Sequence, residues 1–253
     1  MTNGQLAIVY ILLAVPLVIS YRQELGQIRE IIWAVIRMTV QLFLVGLYLR
    51  VLFEIDSVYL NVAWILVMLL VADMNILKKS ALPRRIGIVL PLLVATGIGT
   101  ALPTALLLFT VSPEPWYSAR FVVPLTGMVL GNSLRGNIIA LGRFKEILQR
   151  DRDLYATRLL SGATTNEALK PVYREALHAS LAPTIASIAT IGLVALPVMM
   201  TGQLLGGAVP MTAIRYQIAI MLAILSTVSL AALLNLIVAG RLFIDDVDMP
   251  VFE

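Results

Sequence analysis

Three ionisable side chains stand inside long apolar runs of this chain: Arg37, Asp73 and Arg135. A charge at the middle of a membrane-crossing helix costs about 2.5 to 3.5 kcal/mol on the insertion scale, so each needs a partner or an aqueous path. Each falls about four to six residues from the same end of its run, at about 1.5 Å per residue, which gives them similar depth and lets them meet. Two roles fit. One is structural: an ion cluster tying the second, third and fifth helices together, or arginines that snorkel to the headgroups. The other is a polar gate, with one carboxylate to attract a cation and two guanidiniums to shape or oppose that attraction.

Amides join them in the helix interiors: Gln41, Asn132, Asn137, Gln203, Gln217 and Asn235. Most are expected to hydrogen-bond between helices, while Gln41, Asn132 and Gln217 stay candidates for lining a path. Met199 and Met200 suggest a soft-metal site. Adjacent helix positions point about 100° apart, so both cannot face one ligand, and thioethers prefer Cu(I) to ferrous iron. Packing is the expected role of this pair, although both remain translocation candidates. The chain has no cysteine and one histidine, His178, which excludes a thiolate site and a multi-histidine cage; the identity of any metal site stays open. Ser133, in "GNSLRG", lacks the GxSxG spacing of a hydrolase elbow, and His178 lies outside the apolar runs, so hydrolysis is disfavoured.

The longest polar interval, "SGATTNEALKPVYREALHASLAP" from 161 to 183, has its own pattern. Gly162 follows a helical periodicity running from Arg143, where a left-handed stop is cheapest. Thr164 stands three residues before Glu167, the spacing of a capping box. Pro171 cannot donate into a helix, so the pattern predicts a short helix over Thr165–Lys170 and a new one started by the proline. Such a helix would present Ala163, Ala168 and Leu169 as a compact knob within a polar rim. Docking into a partner's groove and merely joining two spans both fit this pattern.

The elements that must position these residues follow from composition. Residues are 59% hydrophobic and only 13% charged, far from the quarter charged of a soluble domain, so the chain belongs in a membrane. Apolar runs long enough to cross a hydrocarbon core recur at roughly 5–20, 31–53, 58–77, 86–111, 121–141, 181–205 and 213–239. The fold class is therefore an all-α polytopic membrane protein of about seven transmembrane helices. Arg22 follows the first run and no basic residue precedes it, the reverse of a cleaved signal, so that run is expected to be retained. With the N-terminus outside, the inner loops hold Arg22, Arg29, Lys78, Lys79, Arg84, Arg85, the basic residues from Arg143 to Arg174, and Arg241, against Arg50, Arg120 and Arg215 outside. The positive-inside rule selects N-out, C-in and puts the polar interval in the cytoplasm. The acidic tail "IDDVDMPVFE" is then cytoplasmic and frayed. Residues 1–253 are read as one permease domain, with a cytoplasmic coupling region at about 142–180. Inverted repeats and interrupted helices, which would favour an ion-coupled carrier, are not evident.

"LSGATTNEAL" resembles the coupling-helix motif of ABC transporter permeases, and "GLVALPVMMTGQLLGGAVPMTAIRYQIAIML", from Gly192, closely resembles the signature of the FetB/UPF0014 family. "RMTVQLFLVG" from Arg37 and "PLTGMVLGNSL" from Pro124 agree, so the resemblance covers nearly the whole chain. That family includes bacterial iron-export permeases and plant membrane subunits linked to aluminium tolerance. The resemblance implies an ABC permease in the bacterial cytoplasmic (inner) membrane that exports metal ions such as iron, with a nucleotide sugar or other small solute as the alternative cargo. It implies a homodimer and two copies of a separate ATPase seated at Gly162, Ala163, Thr164, Thr165, Glu167, Ala168 and Leu169. The chain lacks a GxxxxGK[ST] loop, in keeping with that family: no cofactor is expected on it, and ATP and Mg belong to the partner. It departs from the family pattern at Ala186 and Ala189, where many members carry Asp and Lys, and at Val198, where they carry Gly.

Overall fold

The computed structural model describes residues 3–83, 85–111, 115, 117–193, 196–244 and 249–250; Arg84 and most of the acidic tail lie outside them. The described residues are helices joined by short turns, the all-α membrane fold that the composition implies. Internal contacts group the chain into two compact units, Met1–Ile55 and Asp56–Glu253.

In the first unit, α1 (Asn3–Val9) continues through a tighter 3-10 turn at Tyr10–Leu13 into α2 (Ala14–Arg22), so the first apolar run is helical but not uniform. Glu24 and Gly26 turn the chain at positive φ, and α3 (Ile28–Ile55) packs back on α2. The hydroxyls of Tyr10 and Thr39 share a 2.6 Å hydrogen bond.

The second unit is built around its last helix. α4 (Val58–Lys79), α5 (Ile86–Val111) and α10 (Pro210–Leu242) are each long and apolar enough to cross a membrane, as is α3. α6 (Ala119–Arg150) carries the fifth apolar run and then a charged extension. α10 touches α5, α6 and α8 (Thr165–Thr190), and its neighbours must be small for that. A Cβ on Gly99 of α5 would stand 2.5 Å from the Ala231 Cα, and one on Gly136 of α6 would stand 2.5 Å from a Val228 methyl. At the other end of α10, Gly240 leaves room for Tyr173 and Leu169 of α8. In lipid, such close approach replaces the hydrophobic drive that water would supply. Gly127 does likewise for Met68 of α4, whereas Gly131 and Gly202 meet nothing within 4 Å.

Polar residues fasten the ends. Asp56 accepts from the Ala119 N–H at 2.6 Å and the Ser118 hydroxyl at 3.1 Å, and Asn61 donates to the Tyr117 carbonyl at 2.9 Å, so the start of α4 caps the start of α6. Chiefly through the Ala119 N–H, this holds the Asp56 carboxyl below its ordinary value of 3.8. At the opposite end Arg143 bridges Glu146 and Glu175, both at 2.7 Å, and ties α6 to α8.

Three expectations need correction. The extension from Arg143 is not one helix: α6 stops at Arg150, whose guanidinium grips the Asp151 carboxylate, and α7 (Arg152–Leu160) starts anew. The short helix ending at Lys170 is in fact the start of α8, which runs through Pro171 and Pro183 to Thr190. Ala168, Leu169, Val172 and Ala176 form one buried stripe across Pro171, so packing overrides the missing donor, and the carbonyl it frees is at exposed Glu167. The sixth run, expected as one helix over Leu181–Leu205, is broken instead. Ile191 is extended, Gly192 takes φ +86, and Pro197 precedes a separate α9 (Val198–Leu205). A proline disfavours helix at the residue before it, and glycine alone enters the left-handed region freely.

Gly99→Ala is expected to cost about 1–3 kcal/mol by overpacking, seen as a lower unfolding temperature in detergent, while Gly142→Ala, with open space around it, leaves stability equal or higher. Because the folded Asp56 carboxyl has the lowered pKa, its stabilisation is complete above the unfolded value and is lost as pH falls through the folded one. The stability gap between wild type and Asp56→Asn should therefore be widest at neutral pH and close in acid.

Candidate functional site

The faces that α6, α8 and α10 leave free of one another border a cavity of about 520 Å³. α6 contributes Met128, Asn132, Arg135 and Ile139, which share a face at helical spacing. α10 contributes Gln217, Ile220, Met221 and Ile224 by the same logic, and the broken sixth run closes the ring with Ile191, Pro197, Val198 and Met199. Irregular backbone at membrane depth is tolerated where it borders a cavity or is buried in protein, and the break between α8 and α9 meets that condition.

Four of the translocation candidates thus come together: Asn132, Arg135, Met199 and Gln217. Gln217 is 6% exposed and its Oε1 has no hydrogen-bond partner among the described residues. Arg135 is exposed and makes no hydrogen bond or ion pair among them, while Asn132 donates to the Met128 carbonyl of its own helix at 2.8 Å. Met200 does not line the cavity, as the 100° offset from Met199 requires. Four hydroxyl residues that the sequence reading passed over, Ser180, Thr184, Ser187 and Thr190, also line it. Their spacing of three and four within an apolar run was the available signal.

The other amides behave differently. Asn235 of α10 donates to Thr96 of α5 at 2.9 Å and to Asn137 of α6 at 2.8 Å, and Asn137 donates on to the Ser133 hydroxyl at 3.0 Å. All four residues are fully buried, so Asn137 and Asn235 are the interhelical partners expected of them and Ser133 is taken up in their network. His178 stands exposed on α8.

Asp73 is fully buried on α4, and neither carboxylate oxygen has a hydrogen-bond partner among the described residues. It forms no ion pair with Arg135, and it does not line the cavity. Arg37 and Gln41 lie exposed on α3 in the first unit.

At the turn before α8 the expected capping box is present: the Thr164 N–H donates to Glu167 at 2.8 Å and the Glu167 N–H to the Thr164 hydroxyl at 3.3 Å. The Thr164 N–H and then its hydroxyl hold the Glu167 carboxyl below its ordinary value. Gly162 takes φ +90 as the left-handed stop. The knob, however, is composed differently. Ala168 and Leu169 are buried against Phe144, Leu148 and Tyr155, because their stripe faces the core. The exposed positions are Gly162, Thr164, Asn166, Glu167 and Lys170, with Ala163 and Thr165 half-buried, and Leu160 beside them is 89% exposed.

Residues 3–244 match the family described as "Uncharacterised protein family (UPF0014)". Among similar proteins, the UPF0014 membrane protein slr1647 of Synechocystis is 33% identical over 88% of this chain and 86% of its own. The Escherichia coli protein named "Probable iron export permease protein FetB" is 30% identical over 96% of this chain and 92% of its own. The rice UPF0014 membrane protein STAR2 is 31% identical over 88% of this chain and 76% of its own. No solved structure shows significant similarity.

The two classes of amide should separate on mutation. Asn137→Ala removes a buried partner of Asn235 and is expected to cost about 1 kcal/mol in thermal unfolding. Asn132→Ala, which breaks a hydrogen bond only within its own helix, should unfold close to wild type.

Proposed function

Because the chain belongs to the UPF0014 family, we propose that it is the membrane-spanning permease subunit of an ABC transporter, exporting metal ions such as iron across the bacterial cytoplasmic membrane. The name of the Escherichia coli relative supports the cargo and its direction. The observation that carries the permease role is the cavity among α6, α8, α9 and α10, where an arginine, two amides and four hydroxyls stand among apolar residues beside a broken helix. A homodimer would face two such cavities to a common path, and a separate ATPase, in two copies holding ATP and Mg, would supply the drive.

The continuity of α8 supports a route for that drive. Its first turn is exposed at Thr164, Asn166 and Glu167, its next residues are seated in the core by Ala168, Leu169 and Val172, and its last turns line the cavity at Ser187 and Thr190. From Thr165 to Ser187 the helix spans about 33 Å at 1.5 Å per residue. A push on the cytoplasmic turn would reach the cavity through one rigid element. Exposed Leu160 supplies an apolar contact for the ATPase, within a rim of Gly162, Thr164, Asn166 and Glu167.

The break between α8 and α9 favours a second reading, an ion-coupled carrier, since interrupted helices serve such proteins too. Reconstitution separates the two. The chain is purified with a candidate ABC ATPase and placed in vesicles, and ATP turnover and flux are followed with iron, other metals and nucleotide sugars. ATP-dependent flux is expected, and Leu160→Asp should lower turnover severalfold while leaving thermal unfolding unchanged. Failure to form a complex, or flux driven by an ion gradient without ATP, overturns the ABC reading.

A further inference from the structure

The cavity bears on the chemical form of the cargo, an inference that rests on its being the translocation site. Among the described residues its lining contains no Asp, Glu, His or Cys, and the one formal charge among them is the Arg135 guanidinium. Among the described residues no group of three or more His, Cys, Asp or Glu could hold a metal ion. The remaining polar groups, the amides of Asn132 and Gln217 and the hydroxyls of α8, can face either sign of charge. The formal charge therefore decides, and it is positive.

A bare divalent cation entering here would meet an unscreened guanidinium and no carboxylate. Divalent cations are held by carboxylates, carbonyls and imidazoles, and a site without any of the charged ligands is poorly matched to them. Met128, Met199 and Met221 bring thioethers, which suit Cu(I), yet they share the cavity with the same uncompensated positive charge. An oxyanion fits both vacant functions. A carboxylate or phosphate pairs with the planar fork of an arginine, and Gln217, 6% exposed and with its carbonyl oxygen unpartnered, stands ready to orient a bound hydroxyl or N–H. We propose that the cavity takes its cargo as an oxyanion, either an anionic carboxylate chelate of the metal or a metal-free organic anion, with Arg135 as the residue that recognises its charge.

The test needs no ATPase. The chain in phosphatidylcholine nanodiscs is titrated with citrate, ferric citrate, inorganic phosphate, Fe(II) alone and Cu(I) alone, and then in nanodiscs enriched in phosphatidylglycerol. Citrate or ferric citrate is expected to bind, about tenfold or more weaker in Arg135→Gln and largely retained in Arg135→Lys, which keeps the charge. Ferric citrate binding without citrate binding assigns the chelate, and equal binding assigns the organic anion; either supports the proposal. Thermal unfolding of Arg135→Gln close to wild type shows that the loss is local, and Asn132→Asp, which adds a negative charge beside Arg135, should weaken oxyanion binding independently. Binding of Fe(II) or Cu(I) alone that Arg135→Gln leaves unchanged or tightens overturns the proposal, as does an absence of oxyanion binding in both lipids or occupancy by phosphatidylglycerol alone. ATP-dependent transport of a bare cation would sink this inference and spare the permease reading; citrate binding through Arg135 without ATP-driven flux would do the reverse.

Discussion

The close approach of α10 to its neighbours is the constraint on which the second unit depends. Gly99 and Gly136 bring the backbones of α5 and α6 onto α10, and Gly240 admits the Tyr173 side chain of α8. Packing one face of each helix this tightly fixes which faces remain for other work. On α6 the face that does not meet α10 carries Asn132 and Arg135, and Gly136 itself lies where contact and cavity join. The cavity is thus a by-product of a specific helix arrangement, and the residues left along it give it its polar groups.

Lipid sorts polar side chains more strictly than water does, because an unpaired polar group has no solvent to turn to. Thr96, Ser133, Asn137 and the amide N–H of Asn235 meet that demand within the protein, and they hold α5, α6 and α10 in register. Arg135 and Gln217 do not meet it with protein partners, and both line the cavity. The difference between a structural amide and a cavity-lining amide lies in the face of the helix it occupies. Asn132 and Asn137 are five positions apart on the same helix and fall on opposite sides of that division.

Much of this was legible in the sequence. Apolar run length located the fourth span at Ile86–Val111, where the helix lies, and local chemistry located the Gly162 stop and the Thr164 cap. Local chemistry failed where packing outweighed it. Pro171 looked like a boundary, but a buried stripe carried α8 across it. Run length failed where local chemistry outweighed it: Leu181–Leu205 looked continuous, but Gly192 and Pro197 divided it. The similar depth expected of Arg37, Asp73 and Arg135 rests on distance along the apolar run, which carries no information about azimuth. Asp73 and Arg135 sit on different helices in different surroundings, one enclosed and one on the cavity. Hydroxyls at helical spacing on α8 were a usable signal, hidden because serine and threonine are common in transmembrane helices.

The central claim is that the cavity among α6, α8, α9 and α10 is a water-accessible path for a solute, whereas the network at Thr96 and Asn235 is dry. The chain has no cysteine, so single cysteines can be read without background. Placed at Asn132, Thr184 and Gln217, and for comparison at Thr96 and Thr227, they would be challenged in membranes with a charged, water-soluble thiol reagent. The account predicts that the first three react and that transported solute protects them, while the other two stay inert. Inert cavity positions, or equal reaction at Thr96 and Thr227, would contradict it.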